Sequence, residues 1–304
     1  MGEATPAGFR REPGLAVVGL GLVGGSVLRG AVERRLAVRV QGWDRRAEVR
    51  AAAAESGYGA FIAPTLEAAC RGATLAVVAV PVRAIPPLVD RVRRLLGPEG
   101  VVTDTGSTKR WVLAEVARLA RTDSGGLAPF VGGHPVAGVE RSGFAASSGD
   151  LFDGRPWVLA EPEGDQAAAA AAALDRVSAF VRGLGATAIV VSAARHDRAL
   201  AVTSHLPYLL AAALASLAES RLGGPAGTAS FAAGGFRDAT RLALQDPEMG
   251  LDMLWSNADE VGRALADLVE VARRHLSSPA DERAAALERA RAFRAELGRL
   301  KRWS

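Results

Sequence analysis

A glycine-rich turn near the start constrains this chain more than any other feature. Gly19-Leu20-Gly21-Leu22-Val23-Gly24 fits G-x-G-x-x-G and stands directly between an apolar run, Leu15–Val18, and a helical stretch. Gly19 permits a tight turn, Gly21 lets the backbone approach a pyrophosphate, and Gly24 lets a helix pack closely on the strand. The unpaired N–H groups at the helix start, those of Leu22 and Val23 included, face such an anion. Asp44 lies 20 residues beyond Gly24, at the end of the next β-rich run. A carboxylate there accepts hydrogen bonds from the hydroxyls of an adenosine ribose. Together these features predict a dinucleotide site that prefers NAD. Arg45 and Arg46 follow at once and would suit the 2′-phosphate of NADP if they folded over the ribose, which leaves NADP as the second choice.

The residues around this turn alternate in the same way. Leu15–Gly19, Val38–Gly42, Leu75–Val80, Val101–Asp104, Phe130–Gly133 and Trp157–Glu161 read as strands, with helices beginning near Val27, Arg45, Ala84 and Thr108. A helix over Asp165–Leu184 and a strand over Ala186–Val191 follow. Such alternation predicts a parallel sheet with helices on both faces, because a parallel return needs a crossover. After Ser192 the strand signal stops. Ala193–Leu222 is rich in alanine and leucine around Pro207, and Gly223-Gly224-Pro225 breaks it. Pro247–Leu276 places Leu251, Leu254, Ala258, Val261, Leu265, Leu268 and Ala272 at steps of three and four, a seam along one long helix. A charged amphipathic helix runs from Pro279 to Arg302. The expected architecture is an α/β Rossmann-like parallel-sheet domain over 14–192, followed by an all-α domain over 193–304. The seam suits packing within one chain and equally a helix-mediated homodimer.

Composition narrows the function classes. With 304 residues the chain has room for two domains, and 37 Lys and Arg against 33 Asp and Glu leave a net charge of only +4. No dense basic face follows from that balance, so nucleic acid is not an expected partner. Cys70 is the sole cysteine and forms neither an internal disulfide nor a thiolate zinc site. No group of His, Cys and acids has metal-ligand spacing, so no metal is expected. Met1 to Pro13 lacks the apolar stretch of a secretory signal, and the most apolar run, Leu206–Ala218, falls short of a bilayer span. The expectation is a cytoplasmic protein with no membrane partner.

Polar residues gather at the strand ends. Val80-Pro81-Val82 closes the strand Leu75–Val80 beside the nucleotide crevice, which makes Val80 and Pro81 candidate cofactor contacts. In Asp104-Thr105-Gly106-Ser107-Thr108-Lys109, Ser107 is placed to cap the following helix or to orient a reacting hydroxyl. Gly132-Gly133-His134-Pro135-Val136-Ala137-Gly138 brings an imidazole to the same edge, where it can take an alcohol proton as the carbon loses hydride. In the helical half, Pro207 in Ser204-His205-Leu206-Pro207-Tyr208 frees backbone groups and can turn His205 toward a pocket. Arg237 and Arg241, four apart, share a helix face: one can pair with Asp238 or Asp246, leaving the other for a substrate carboxylate. His196 with Asp197 reads as solvated or capping at a helix start, His275 as a helix C-terminal cation, and Cys70 as a buried inert thiol.

These motifs, in order, resemble the prephenate/arogenate dehydrogenase family of tyrosine biosynthesis: Gly19–Gly24 with Asp44, Asp104-x-Gly-Ser-x-Lys109, Gly133-His-Pro-x-Ala-Gly138, Ser204-His-Leu-Pro207, and Phe236-Arg-Asp-x-Thr-Arg241 with Asp246-Pro247-x-Met249. The resemblance covers about residues 14–275 and implies an NAD-binding domain, a helical dimerisation domain and oxidative decarboxylation of a prephenate-type cyclohexadiene acid. It implies that His134 contacts the C4 hydroxyl, Ser107 orients that histidine and the nicotinamide, His205 helps place the substrate, and Arg241 binds a carboxylate. Many members have histidine where this chain has Tyr208 and tryptophan where it has Gly250, both near the side-chain end of the substrate. Those departures keep a 4-amino-4-deoxyprephenate-type substrate open. A non-catalytic, dinucleotide-sensing interaction protein is the alternative of another class. Only one helix remains after Pro279, so the regulatory domain that some members carry is not expected.

Overall fold

The computed structural model describes residues 11–120, 126–137, 141–162 and 167–301. Five strands, β1 (Glu12–Val18), β2 (Ala37–Trp43), β3 (Leu75–Val78), β4 (Val101–Asp104) and β5 (Phe130–Val131), form a parallel sheet in the order β2-β1-β3-β4-β5. The crossovers carry α1 (Leu22–Glu33), α2 (Ala47–Ala53), α3 (Leu66–Cys70), α4 (Ile85–Leu96) and α5 (Arg110–Ala120). Alternation along β1 shows why both faces are covered. Leu15 and Val17 join a core with Val27 and Leu28 of α1, while Ala16 and Val18 join another with Ile85 and Val89 of α4 and Val112 of α5.

The strand expected over Phe130–Gly133 is in fact two. β5 ends at Val131, and β6 (Gly133–Pro135) departs into a three-stranded sheet with β7 (Pro156–Ala160) and β8 (Thr187–Val191), in the order β6-β7-β8. β6 runs antiparallel to β7, and β7 parallel to β8, so the all-parallel expectation holds for the first five strands only. Helix α6 (Ala167–Gly183) lies between β7 and β8 in sequence. Asp165 and Arg302, the expected start and end of two helices, lie outside the described residues, as does Gly138.

The remaining elements are helical: α7 (Ala193–Leu200), a π-helical turn (Ala201–His205), α8 (Leu206–Leu222), α9 (Gly224–Ala229), α10 (Gly234–Thr240), a 3-10 turn (Arg241–Leu244), α11 (Pro247–Ser256), α12 (Ala258–Ser277) and α13 (Ala280–Lys301). The long helix expected over Pro247–Leu276 breaks at Asn257, whose backbone leaves the helical region at φ −127° and ψ 26°. The seam is therefore divided between α11 and α12. Ala193–Leu222 forms one 30-residue helical run, longer than the Leu206–Ala218 stretch and, by length and composition alone, long and apolar enough to cross a membrane. Leu210, Leu214, Leu217 and Leu222 on this run are exposed. By its contacts the chain divides into two compact units, Met1–Ala258 and Asp259–Ser304.

Candidate active site

The turn after β1 has the geometry that a pyrophosphate requires. Gly19 has φ +95°, and a Cβ there would stand 2.2 Å from the Ala79 carbonyl oxygen. At Gly24 a Cβ would stand 1.8 Å from the Gly19 oxygen, so neither position admits a side chain. Around Gly21, by contrast, no atom lies within 4 Å of where a Cβ would be. This open cradle lies at the start of α1, where Leu22 and Val23, half-buried, supply first-turn amides. It also lies where the strand order turns from β1 to β3, with half-buried Val80 and exposed Pro81 following β3 on the other side.

Asp44, at the end of β2, is buried. Its Oδ2 accepts from Leu20 N at 2.9 Å and its Oδ1 from Arg46 N at 2.9 Å, which fixes the carboxylate while each oxygen keeps a lone pair for a ribose hydroxyl. Arg46 Nε is 3.6 Å from Asp44 Oδ1, and Arg45 is exposed. Cradle and donor set together fit a dinucleotide.

Beyond β4 a buried ion pair organises the next part of the site. Lys109 Nζ lies 2.5 Å from Asp104 Oδ2 and donates to the Gly133 carbonyl at 2.6 Å, while Asp104 Oδ1 accepts from Gly133 N at 2.8 Å. Both side chains are fully buried, and burial pulls the Lys109 ammonium down from its ordinary range against the attraction of Asp104. The pair grips both sides of the residue preceding His134. This accounts for the early end of β5, since ionic partners replace the sheet bonds that Gly133 would otherwise seek in the parallel ladder.

His134 is half-buried on β6, opposite Val158 of β7. Its Nδ1 is 2.9 Å from His196 Nε2, and His196 Nδ1 is 2.7 Å from Asp197 Oδ1. The two imidazoles meet edge to face at 5.1 Å. His134 is pushed well below the usual histidine range, first by burial and then by its neighbours His196, Lys109 and His205. His196 and Asp197 are buried, not solvated, and Asp197 caps a helix other than its own. Its Oδ1 and Oδ2 accept at 2.8 Å from Lys109 N and Arg110 N at the start of α5. That is the capping expected of Ser107; the half-buried Ser107 hydroxyl makes no hydrogen bond among the described residues.

His205 closes the π-helical turn just before Pro207 and is fully buried. Asn257 Nδ2 donates to the Asp197 carbonyl at 2.8 Å and lies 3.2 Å from His205 Nδ1. The opposite amide orientation would set two oxygens against each other, so the Asn257 N–H faces His205 Nδ1 and leaves His205 Nε2 as the protonated nitrogen. That Nε2 is buried without a partner among the described residues, and burial lowers the histidine to about 4. The site therefore offers a neutral N–H donor at His205. Holding Asn257 in this network is also what breaks the helix between α11 and α12.

Two segments of the chain correspond to two descriptions of one family: residues 29–190 match "Prephenate dehydrogenase, nucleotide-binding domain", and residues 192–302 match "Prephenate dehydrogenase, dimerization domain". The chain belongs to the prephenate dehydrogenase family. Cyclohexadienyl dehydrogenase of Zymomonas mobilis is 31% identical over 247 residues, with 80% of each chain covered. Prephenate dehydrogenase of Lactococcus lactis is 30% identical over 81% of this chain, which spans 65% of that relative's length. The solved structure of Aquifex aeolicus prephenate dehydrogenase, in complex with hydroxyphenyl propionate and NAD+, shares the fold. Its TM-score is 0.81 at 24% identity, covering 93% of this chain and 98% of that one.

Tyr208 and Gly250, the two positions at which the sequence departs from the pattern it resembles, meet in the structure. A Cβ on Gly250 would stand 2.2 Å from the Tyr208 hydroxyl and 2.3 Å from its Cζ, so the buried Tyr208 ring fills the space that a side chain at 250 would take. Arg237 Nε pairs with Asp238 Oδ1 at 3.0 Å, both exposed, and Asp246 caps α11 through Glu248 N. Arg241 is exposed at the start of the 3-10 turn, four residues beyond Arg237 of α10. Asp104, Lys109, His196, Asp197 and Asn257 are polar residues of the network that the motifs did not single out as functional. Cys70 is buried as expected, and burial pushes its thiol up to about 12.

Proposed function

We propose that this chain catalyses the NAD-dependent oxidative decarboxylation of prephenate or arogenate, yielding 4-hydroxyphenylpyruvate or tyrosine. The observation that carries the reading is His134. It is a neutral imidazole with Nδ1 engaged and Nε2 without a partner among the described residues, on β6 next to Gly133, whose N–H is bonded to Asp104 at the end of β4. Gly19, Gly21, Gly24, Leu22, Val23, Asp44, Val80 and Pro81 would hold NAD, with Arg45 at the margin of the ribose site. When bound, NAD accepts the hydride from C4. His134 takes the C4 hydroxyl proton, Ser107 orients the reacting groups, and His205 donates its Nε2–H to a substrate oxygen. Arg241 grips a carboxylate, with Arg237 as its alternate, and Tyr208 limits the side-chain end.

The change of family segment between residues 190 and 192 supports a domain boundary there, with 14–192 binding the nucleotide and 193–304 serving substrate and dimer. Exposed Leu210, Leu214 and Leu217 would be covered in a cytoplasmic homodimer, with neither membrane nor nucleic acid as partner. A second reading, a 4-amino-4-deoxyprephenate-type substrate, is favoured by the Tyr208–Gly250 pair.

NADH production measured side by side with prephenate, arogenate and the 4-amino analogue separates these readings. The His134→Asn variant should lose about 10²–10⁴-fold in kcat, and Arg241→Ala should chiefly raise KM. A His134→Asn protein that binds NAD and turns over at near wild-type rate would end the proposal.

A further inference from the structure

Two features of the buried network bear on how the proton moves. Asp197 accepts two backbone N–H bonds and one imidazole bond, and a carboxylate that only accepts forces His196 to carry its proton on Nδ1. With that proton alone on its ring, His196 presents a bare Nε2 to His134. The 2.9 Å contact between them requires His134 to be the donor at Nδ1, which leaves a lone pair on His134 Nε2.

We propose that His134, His196 and Asp197 form a two-histidine proton relay: His134 Nε2 takes the substrate hydroxyl proton while its Nδ1 proton passes to His196 Nε2, so that the positive charge settles beside the Asp197 carboxylate. This inference rests on the proposed reaction. As the C4–H bond breaks, its electron pair leaves with the hydride to the oxidised nicotinamide, and the O–H electrons become the second bond of the C4 carbonyl. Loss of the ring carboxylate as CO2 then returns an electron pair to the ring and creates a phenolate, which recovers the proton by the same two steps in reverse. No net proton is consumed or released.

The surroundings favour this division of labour. Lys109 and His205, the other titratable groups facing His134, disfavour a cation on its ring, as does burial. His196, with its Nδ1 on a carboxylate, is the ring at which a cation is compensated. His196 and Asp197 are thus positioning residues acting through His134.

The test has two arms. In protein labelled with 15N-histidine, long-range 1H–15N NMR should find His134 and His196 both protonated at Nδ1 and bare at Nε2. A proton on His134 Nε2 in the resting protein would overturn the relay. In the second arm, His196→Gln offers an amide oxygen to His134 Nδ1–H but cannot take the proton. Its single-turnover rate of NADH formation should fall about 10²–10⁴-fold, with KM, NAD affinity, melting temperature and the His134 tautomer retained. A His196→Gln protein as fast as wild type would refute the relay. So would a loss that only tracks melting temperature. If the wild type oxidises none of the three cyclohexadienes, the proposed reaction fails by itself, because the tautomers are read without substrate.

Discussion

Adding a single methyl group at Gly250 tests its packing against Tyr208. In Gly250→Ala the new Cβ would stand 2.2 Å from Tyr208 Oη, 2.3 Å from Cζ and 2.4 Å from Cε1, against a comfortable carbon separation of roughly 3.5–4.0 Å. The buried ring would have to move by more than about 1 Å, an overpacking cost of about 1–3 kcal/mol. Gly250 lies inside α11, where Gly→Ala alone gains about 1 kcal/mol of helix propensity. The net expected change is a destabilisation of about 0–2 kcal/mol. With the ring removed in Tyr208→Ala, the clash vanishes and the same Gly250→Ala change should stabilise by about 1 kcal/mol. The coupling between the two sites is then about 1–3 kcal/mol. Urea midpoints of the wild type, both single variants and the double variant close the cycle. Tyr208→Phe should rescue nothing, because Cζ remains in the way. Additive midpoints, with Gly250→Ala equally stabilising in both backgrounds, would show that Tyr208 does not occupy the place of a side chain at 250.

Three further predictions follow from the buried groups. The wild type should show higher kcat/KM with NAD than with NADP, and Asp44→Asn should narrow the ratio; a wild-type preference for NADP would move the role to Arg45 and Arg46. His205 is lowered from 6.5 to about 4, so the folded protein resists a proton that the unfolded chain accepts. The stability from that group is present above pH 6.5 and drains away toward pH 4, by about 3 kcal/mol relative to His205→Gln; parallel stability–pH curves for the two proteins would contradict this. Lys109→Met leaves the Asp104 carboxylate buried without its cation and should cost about 3–5 kcal/mol, part of which the Asp104→Asn, Lys109→Met double variant should recover. A double variant no more stable than the single one would show that the ion pair is not what matters there.

The nucleotide half was legible because its signals are local. The turn from Gly19 to Gly24 fixes its own backbone, and continuous apolar runs such as Leu15–Val18 announce a buried strand without reference to distant residues. The split between β5 and β6 was not legible, since it depends on an ion pair whose two members come from elsewhere in the chain. His134 and His205 stood out through their motifs. His196 and Asp197 looked solvated because burial is a property of the assembled chain, although a histidine beside an acid, eight residues before Ser204-His205, was a signal of sorts. Asn257 gives less warning: a single asparagine among helix formers does not interrupt the apolar seam, and its contact with Asp197 accounts for the break.

Asp197 is answerable to two employers. Its oxygens finish the backbone of α5 and, through one of the same atoms, hold the imidazole of His196. A copy of this chain released from catalytic duty would still lose a helix cap, worth about 1 kcal/mol, with any change at 197 to a residue that lacks a side-chain acceptor, whereas no cap depends on His196. In such a lineage the histidine should erode first and the acid last. An aspartate at 197 is therefore the mark of a chain that still folds this way, and the residue just before it is the one to consult about whether the chain still works.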